Sequence, residues 1–213
     1  MEPTRRDELL ERLTEIFLRE GFRHVTVGEL AQRLRCSRRA LYELAPTKEG
    51  LFLLVVDDLL ERIRRSGDDA ARATADLPHR IEAYLSPGIS ETARASQFFT
   101  SDVAGFPAAK RLMEEHQRRR MEGLRGIIAE GVERGVFRGF DPHLVAEVFA
   151  LAYRRATDPD FLSGANLSMT EAYRELSQLL RHGLLHAENG KTPKKRSPRK
   201  RHRAGTFLRN ATV

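Results

Sequence analysis

The chain has 213 residues, 40% of them hydrophobic, which suits one large helical domain or a small domain joined to a larger one. No run approaches the roughly 18 uncharged apolar residues of a membrane span, the N-terminal MEPTRRDELLERL has no signal-peptide apolar centre, and the single cysteine, Cys36, excludes an internal disulfide framework and a Cys-rich zinc site. Net charge is +7, but residues 188–213 hold nine Lys/Arg and one acid, leaving 28 basic and 29 acidic residues in the other 187. Nucleic-acid binding by the body must therefore rest on local placement of charge, not on overall basicity. The expected setting is reducing and cytoplasmic, and no membrane partner is expected.

Along the chain the apolar periodicity is helical, with no repeat and no strand. Leu9, Leu10, Leu13, Ile16 and Phe17 form a single stripe on a first helix, with Thr4 placed as its cap and Gly21 where the helix must end. Thr26 and Glu29 read as a capping box, and Val25 with Leu30 as a hydrophobic staple, for a short second helix at Val27–Leu34. After a break at Arg35-Cys36, Ser37 caps a short third helix. Helices this short are marginal alone because nucleation is costly, so they must pack on the first through Leu30, Ala31, Leu34 and Leu41. Thr47 starts a fourth helix, about 47–65, bearing Leu51, Phe52, Val55, Leu59 and Ile63. SGDDAARATADLP reads as a looser connection near 66–77. Further helices are expected at about 78–86, 90–104, 108–134, 142–156 and 169–187, with Asp141 capping before Pro142 and TDPDFLSGANLS as a connection. From Glu188 onward, Lys, Arg, Pro, Ser and Gly dominate and the expectation is a disordered basic tail over 188–213.

In LAQRLRCSRRALYELA, Leu30–Ala45, four arginines fall within seven residues and no acid interrupts them before Glu43. A short helix, a tight break and a second short helix, buttressed by a preceding one, make a helix-turn-helix, whose second helix enters the DNA major groove N-terminus first. Arg38 and Arg39 supply positive charge near its start, while Ala40 and Leu41 suit inward positions. Helix starts near Thr26, Ser37 and Thr47 can offer N–H groups to phosphates. Tyr42 can donate its hydroxyl to a phosphate, or be half-buried in the core, and Lys48 adds a cation beside a helix N-terminus.

The stretch LTEIFLREGFRHVTVGELAQRLRCSRRALYELAPTKEGLF resembles the N-terminal DNA-binding domain of the TetR family of bacterial transcriptional regulators. Phe17, Gly21-Phe22, Thr26-Val27, Leu30-Ala31, Ser37, Leu41-Tyr42 and Lys48-Glu49-Leu51 carry the match over roughly residues 8–55. Over 56–187 the likeness is only architectural. The resemblance implies an all-α fold with a three-helix head at 1–50, helix 4 as connector, and a larger C-terminal effector and dimerisation domain at 51–187. It implies a homodimer on a pseudo-palindromic DNA operator, released by a small-molecule effector, with no enzymatic activity and no cofactor. By position it assigns phosphate contact to Thr26, Tyr42 and Lys48, and base or phosphate contact to Ser37, Arg38 and Arg39. Two positions depart from the family pattern. Arg35 stands where the turn usually has glycine, so either the turn differs or Arg35 tolerates a left-handed backbone because it reaches a phosphate. Glu43-Leu44 replaces the usual aromatic pair.

Within the C-terminal region, Phe98, Phe99, Phe106, Met113, Phe149 and Tyr153 either line an effector cavity or form plain core. Val145, Val148, Phe149 and Ala152 make one apolar band, and Leu176, Leu179, Leu180 and Leu184 belong to another. In the resembling family the last two long helices build the dimer interface. His182 and His186 have metal-ligand spacing but no third ligand, so no metal is expected. Arg118–Arg120 reads as a solvated face. The tail either adds non-specific DNA affinity or is inert, which keeps open a nucleoid-type binder as the rival. A small helical enzyme is the other rival, and no phosphate loop or catalytic constellation supports it.

Overall fold

The computed structural model describes residues 3–156 and 158–185, which form ten helices among the described residues. The first is α1 (Pro3–Glu20). Thr4 lies inside it rather than capping it, because α1 already starts at Pro3, whose missing N–H suits a first helical turn. Gly21 ends α1 with φ +72°, the left-handed region that glycine enters without a Cβ clash. Next come α2 (Val27–Leu34) and α3 (Arg38–Leu44). Both starts are built by side chains: Thr26 and Glu29 form the reciprocal capping box, and the Ser37 hydroxyl accepts from Ala40 N–H at 3.1 Å. The two short helices are held by burial of Leu30, Ala31, Leu34 and Leu41 against α1, each buried leucine contributing about 1.5–3 kcal/mol.

The fourth helix, α4 (Lys48–Ala73), does not stop near residue 65. The Ser-Gly-Asp-Asp stretch continues it, and the connection shrinks to 74–76. The reason is tertiary: Gly67 is buried where α4 crosses α5 (Leu77–Arg94), so close that a Cβ there would stand 2.7 Å from the Tyr84 carbonyl oxygen. A second expected break, between 86 and 90, is likewise absent, since α5 runs through Pro87. Proline removes one ladder hydrogen bond, the one to the Ala83 carbonyl, and side chains from elsewhere brace the next two carbonyls of that turn. Arg120 donates Nη2 to the carbonyls of Tyr84 (3.2 Å) and Leu85 (3.5 Å), and the Tyr173 hydroxyl donates to Leu85 (3.4 Å). Arg120, expected in a solvated face, is thus only 3% exposed, with its guanidinium over the Tyr84 ring. Its neighbours Arg118 and Arg119 do lie at the surface, paired with Glu115 and Glu122.

The true break precedes α6 (Gln97–Gly105), capped by Ser96, and α7 (Pro107–Glu133) follows after Phe106. Asp141 accepts from Leu144 N–H at 2.7 Å at the start of α8 (Pro142–Ala156). A short α9 (Pro159–Ala165) occupies a segment expected to be a connection; Asp158 caps it and Asn166 ends it in the left-handed conformation. Last is α10 (Met169–Leu184), with a Ser168–Glu171 capping box. An isolated antiparallel bridge between Phe137 and Leu185 pins its end to the α7–α8 turn. The basic tail expected from residue 188, and His186, lie outside the described residues.

Two apolar cores divide the molecule, and both draw on α4. The first gathers α1–α3 and α4 as far as Ile63, then recruits Phe99 and Val103 of α6 and Ala109 of α7. The second gathers Ala71 of α4 with Leu77, Ile81 and Leu85 of α5, Leu124 and Ile128 of α7, Phe149 of α8 and Tyr173 of α10. The head's core therefore does not close at residue 50.

The contrast between two helical glycines tests this packing. Alanine normally gains up to about 1 kcal/mol over glycine in a helix. Gly126→Ala, with open space around it, is expected to raise the denaturation midpoint. Gly67→Ala is expected to lower it, because the clash is with backbone. Equal stabilisation by both would show that α4 and α5 are not in such close contact.

Candidate nucleic-acid interface and internal cavity

The helix-turn-helix presents a basic, hydroxyl-bearing face. Ser37, Arg38, Arg39 and Tyr42 are all exposed, Tyr42 by 46%. The Arg39 side chain is 89% exposed and held only by a 3.4 Å contact to Glu43, a surface pair of little worth that a phosphate or base can displace. Arg38 lies across the start of α2, its Nη2 2.9 Å from where a Gly28 Cβ would stand. Thr26 is exposed at the same helix start; its backbone N–H (2.7 Å) and then its hydroxyl (2.8 Å) donate to Glu29 Oε2 and hold the Glu29 carboxyl below its usual range. Lys48 faces inward more than expected: its Nζ donates to the Val25 carbonyl at 3.1 Å and sits over the Phe22 ring. It ties the start of α4 to the α1–α2 turn.

Arg35 takes φ +52° and ψ +45°, so the turn keeps the left-handed geometry that glycine would adopt more easily, at a cost of about 1 kcal/mol. The backbone closes as a Schellman pair, Cys36 N–H to Ala31 O (3.0 Å) and Arg35 N–H to Gln32 O (3.2 Å). Cys36 is half-buried, and burial pushes its thiol pKa up. Arg33 belongs to a different structure. It makes a two-pronged ion pair with Glu20 (2.8 and 2.5 Å), joining α2 to α1 and holding the Glu20 carboxyl low.

Behind the head, α6 is fastened to the α1–α2 turn. Asp102, 3% exposed, accepts from Phe22 N–H at 2.7 Å and Arg23 N–H at 3.3 Å, and its other oxygen faces Arg23 Nε at 3.4 Å. A Cβ at Gly21 would lie 2.5 Å from the same carboxylate, so the turn needs glycine for close approach as well as for its φ. Ser96 N–H donates to Leu18 O at 2.8 Å, Arg23 Nη2 to Gly105 O at 3.1 Å, and Arg94 pairs with Glu15.

The opposite side of α6 lines a cavity of about 850 Å³. Its apolar wall comes from Leu59, Leu60 and Ile63 of α4, Phe99 and Val103 of α6, Met113 and Met121 of α7, and Ala146 and Tyr153 of α8. Charged groups also line it, several already paired: Lys110 with Glu114 (4.0 Å), Arg118 with Glu122 (2.7 Å) and Glu91 with Arg94 (2.7 Å). Of the six aromatic and Met candidates, Phe99, Met113 and Tyr153 meet here. Phe98 instead stacks edge-on with His24 at the head, Phe106 packs against Phe22 and Phe52, and Phe149 is buried against Tyr173. The residues not anticipated include Gln117 and Met121, which continue Met113 at a spacing of four along α7. Among the described residues no group of three or more His, Cys, Asp or Glu is placed to hold a metal ion, and no helix is long and apolar enough to cross a membrane.

An all-helical chain with a helix-turn-helix head fused to a cavity-bearing helical domain defines a class of transcriptional regulator. The family model for bacterial regulatory proteins of the tetR family matches residues 9–55. A helix-turn-helix transcriptional regulator of Bacillus subtilis, YhgD, is 22% identical over 154 residues, covering 70% of this chain and 80% of its own. Among solved structures, a transcriptional regulator from Saccharomonospora viridis in complex with choline superposes with a TM-score of 0.71 at 15% identity, over 87% of this chain and 100% of that one. The TetR-family regulator PfmR from Thermus thermophilus gives 0.58 at 25% identity, over 84% and 99%. Residues 9–55 thus carry the DNA-binding helix-turn-helix head of the TetR family of transcriptional regulators, and the chain as a whole shares the fold of solved transcriptional regulators.

Beside the cavity, on α7, His116 is buried, and its pKa is pushed down to about 4, first by burial and then by the charges of Arg120 and Arg64, with Glu61 opposing. A histidine that stays neutral when folded but protonates near 6.5 when unfolded stabilises the protein above pH 6.5. That stability is lost as pH falls towards 4, at a slope approaching about 1.4 kcal/mol per unit. Denaturation curves between pH 7 and 5 are expected to fall in this way, and His116→Gln to flatten them; an unchanged slope in the variant would show that His116 titrates normally.

Proposed function

We propose that the chain acts in the cytoplasm as a homodimeric repressor, released from a pseudo-palindromic operator by a small molecule in the α4–α8 cavity. The observation that carries this reading is the double role of α6: Phe99 and Val103 line the cavity while Asp102, on the same helix, holds the backbone that leads into α2. A ligand that displaces α6 must act on the turn that orients the helix-turn-helix. It shifts DNA affinity by as much as it prefers the displaced state.

Dimerisation is supported by an apolar stripe facing outward. Leu144, Val148 and Leu151 are exposed at helical spacing on α8, Leu179 is exposed on α10, and Gly183 leaves open space beside it. Of the interface expected from sequence, Val148 and Leu179 lie on this outer surface, Val145, Ala152, Leu176 and Leu180 are partly buried, and Phe149 and Leu184 serve the protomer's own core. Two-fold pairing of α8 and α10 would set two α3 helices on one face of DNA, about one turn or more apart.

The effector class follows from the lining. The wall built by α4 and α6 is apolar, and the charged groups of the lining balance in sign, Glu91, Glu114, Glu122 and Glu147 against Lys110, Arg118, Arg125 and Arg154, so burying a charged ligand would cost desolvation against no net counter-charge. The expected effector is uncharged and largely apolar, unlike the choline held by the structurally similar Saccharomonospora viridis protein.

Selecting bound fragments from random DNA is expected to return a palindromic pair of half-sites. Arg39→Ala or Tyr42→Ala is expected to weaken binding to that site about tenfold or more, as for loss of a 1–3 kcal/mol contact, with the dimer still folded. Uncharged apolar compounds are expected to raise Tm and release the operator, whereas quaternary amines and carboxylates do neither. Footprinting without any preferred palindrome would favour the nucleoid-type reading instead.

A further inference from the structure

A second basic surface stands on the side of the helix-turn-helix away from Thr26. A concavity of about 660 Å³ opens between α1 and the turn, lined by Arg5, Glu8 and Arg12 on one wall and Arg35, Ser37 and Glu43 on the other. Three arginines nearby are occupied: Arg33 by Glu20, Arg39 by Glu43, and Arg12 by a 3.2 Å hydrogen bond to the Arg33 carbonyl. The side chains of Arg5 and Arg35 make no hydrogen bond or ion pair among the described residues. Both guanidiniums are exposed. Their position matters because Ser37, the cap of α3, is part of the same wall. Arg38 reaches the other way, over Gly28 at the start of α2. Free cations thus flank the recognition helix on both sides. A helix seated in a major groove, about 12 Å wide, has a phosphate backbone on each side.

We propose that Arg35 and Arg5 form a phosphate clamp for the DNA strand on the α1 side of the groove, opposite the strand met by Thr26 and Arg38. The clamp rests on the DNA-binding reading above and adds a contact site to it. It also accounts for arginine at a left-handed position: the side chain supplies a planar, two-pronged phosphate donor that glycine cannot. Phosphate contacts position the protein without reading bases, so the clamp strengthens binding to any duplex. The opposing groups in the concavity are two. Glu43 is already engaged by Arg39, and Glu8 is the acid that a phosphate would meet.

Salt titrations of binding by fluorescence anisotropy, on the selected operator and on an unrelated duplex, test this with four variants of the full chain. Arg35→Gly and Arg5→Ala are each expected to flatten the log–log salt slope by about 0.9 and to weaken binding about fivefold at 0.15 M salt, on both duplexes alike. Glycine takes φ +52° freely, so Arg35→Gly is expected not to lower Tm, which separates lost contact from lost fold. Glu8→Gln is expected to tighten binding. Arg39→Ala serves as the control for the recognition helix. If it weakens operator binding while Arg35→Gly, Arg5→Ala and Glu8→Gln all match the parent in slope and affinity, the clamp is overturned and the DNA-binding reading stands. If the parent chain binds neither duplex, both fall.

Discussion

One buried carboxylate carries the junction between the two halves of this protein. Asp102 brings a negative charge into an almost fully enclosed site and meets three donors there, the N–H groups of Phe22 and Arg23 and the Arg23 guanidinium. A buried carboxylate without such partners would be strongly unfavourable, and the freed N–H groups would be orphaned in turn. The arrangement fixes where α1 ends and how α2 begins. It requires Gly21, because no other side chain fits against Asp102. It also places Phe99 and Val103, neighbours on α6, in the core of the head and at the wall of the cavity together. Head and cavity therefore share a helix and a core.

Charge is sorted by partnership along the chain. Most arginines of the long helices are neutralised within three or four residues, as in Arg64 with Glu61 and Asp68 or Arg118 with Glu115 and Glu122. Such pairs contribute little to stability and leave little net field. Around α3 the pattern changes: Arg35 and Arg38 have no acid partner among the described residues, and Arg39 is only loosely held. The local excess there is what a polyanion recognises, and it is independent of the basic run that gives the chain its net +7.

Much of the head was legible in the amino-acid sequence because its devices are local. Capping boxes, staples and a left-handed turn act over three to five residues, and Thr26, Ser37 and Thr47 start helices where their types and spacing require. The C-terminal region was less legible because distant residues decide its outcome. Gly67 and Pro87 look like breaks until α5 packs against α4 and Arg120 and Tyr173 brace the carbonyls of Tyr84 and Leu85 just before the proline. Arg120 itself looks like one of three solvated arginines, and nothing local marks it as the buried one. The same holds for the cavity. Phe98, Phe99 and Phe106 are alike in type, but only the direction of α6 and α7 sends Phe99 to the wall and the other two towards the head.

The coupling of cavity to head is tested most directly by comparing DNA affinity with and without a cavity-binding compound in the parent chain and in Asp102→Ala. The account predicts that the compound binds both proteins with similar affinity but lowers operator affinity only in the parent, the ratio in the variant falling to about one as coupling is lost. An undiminished ratio in Asp102→Ala would contradict it, because the signal would then reach the helix-turn-helix by a route that does not pass through this carboxylate.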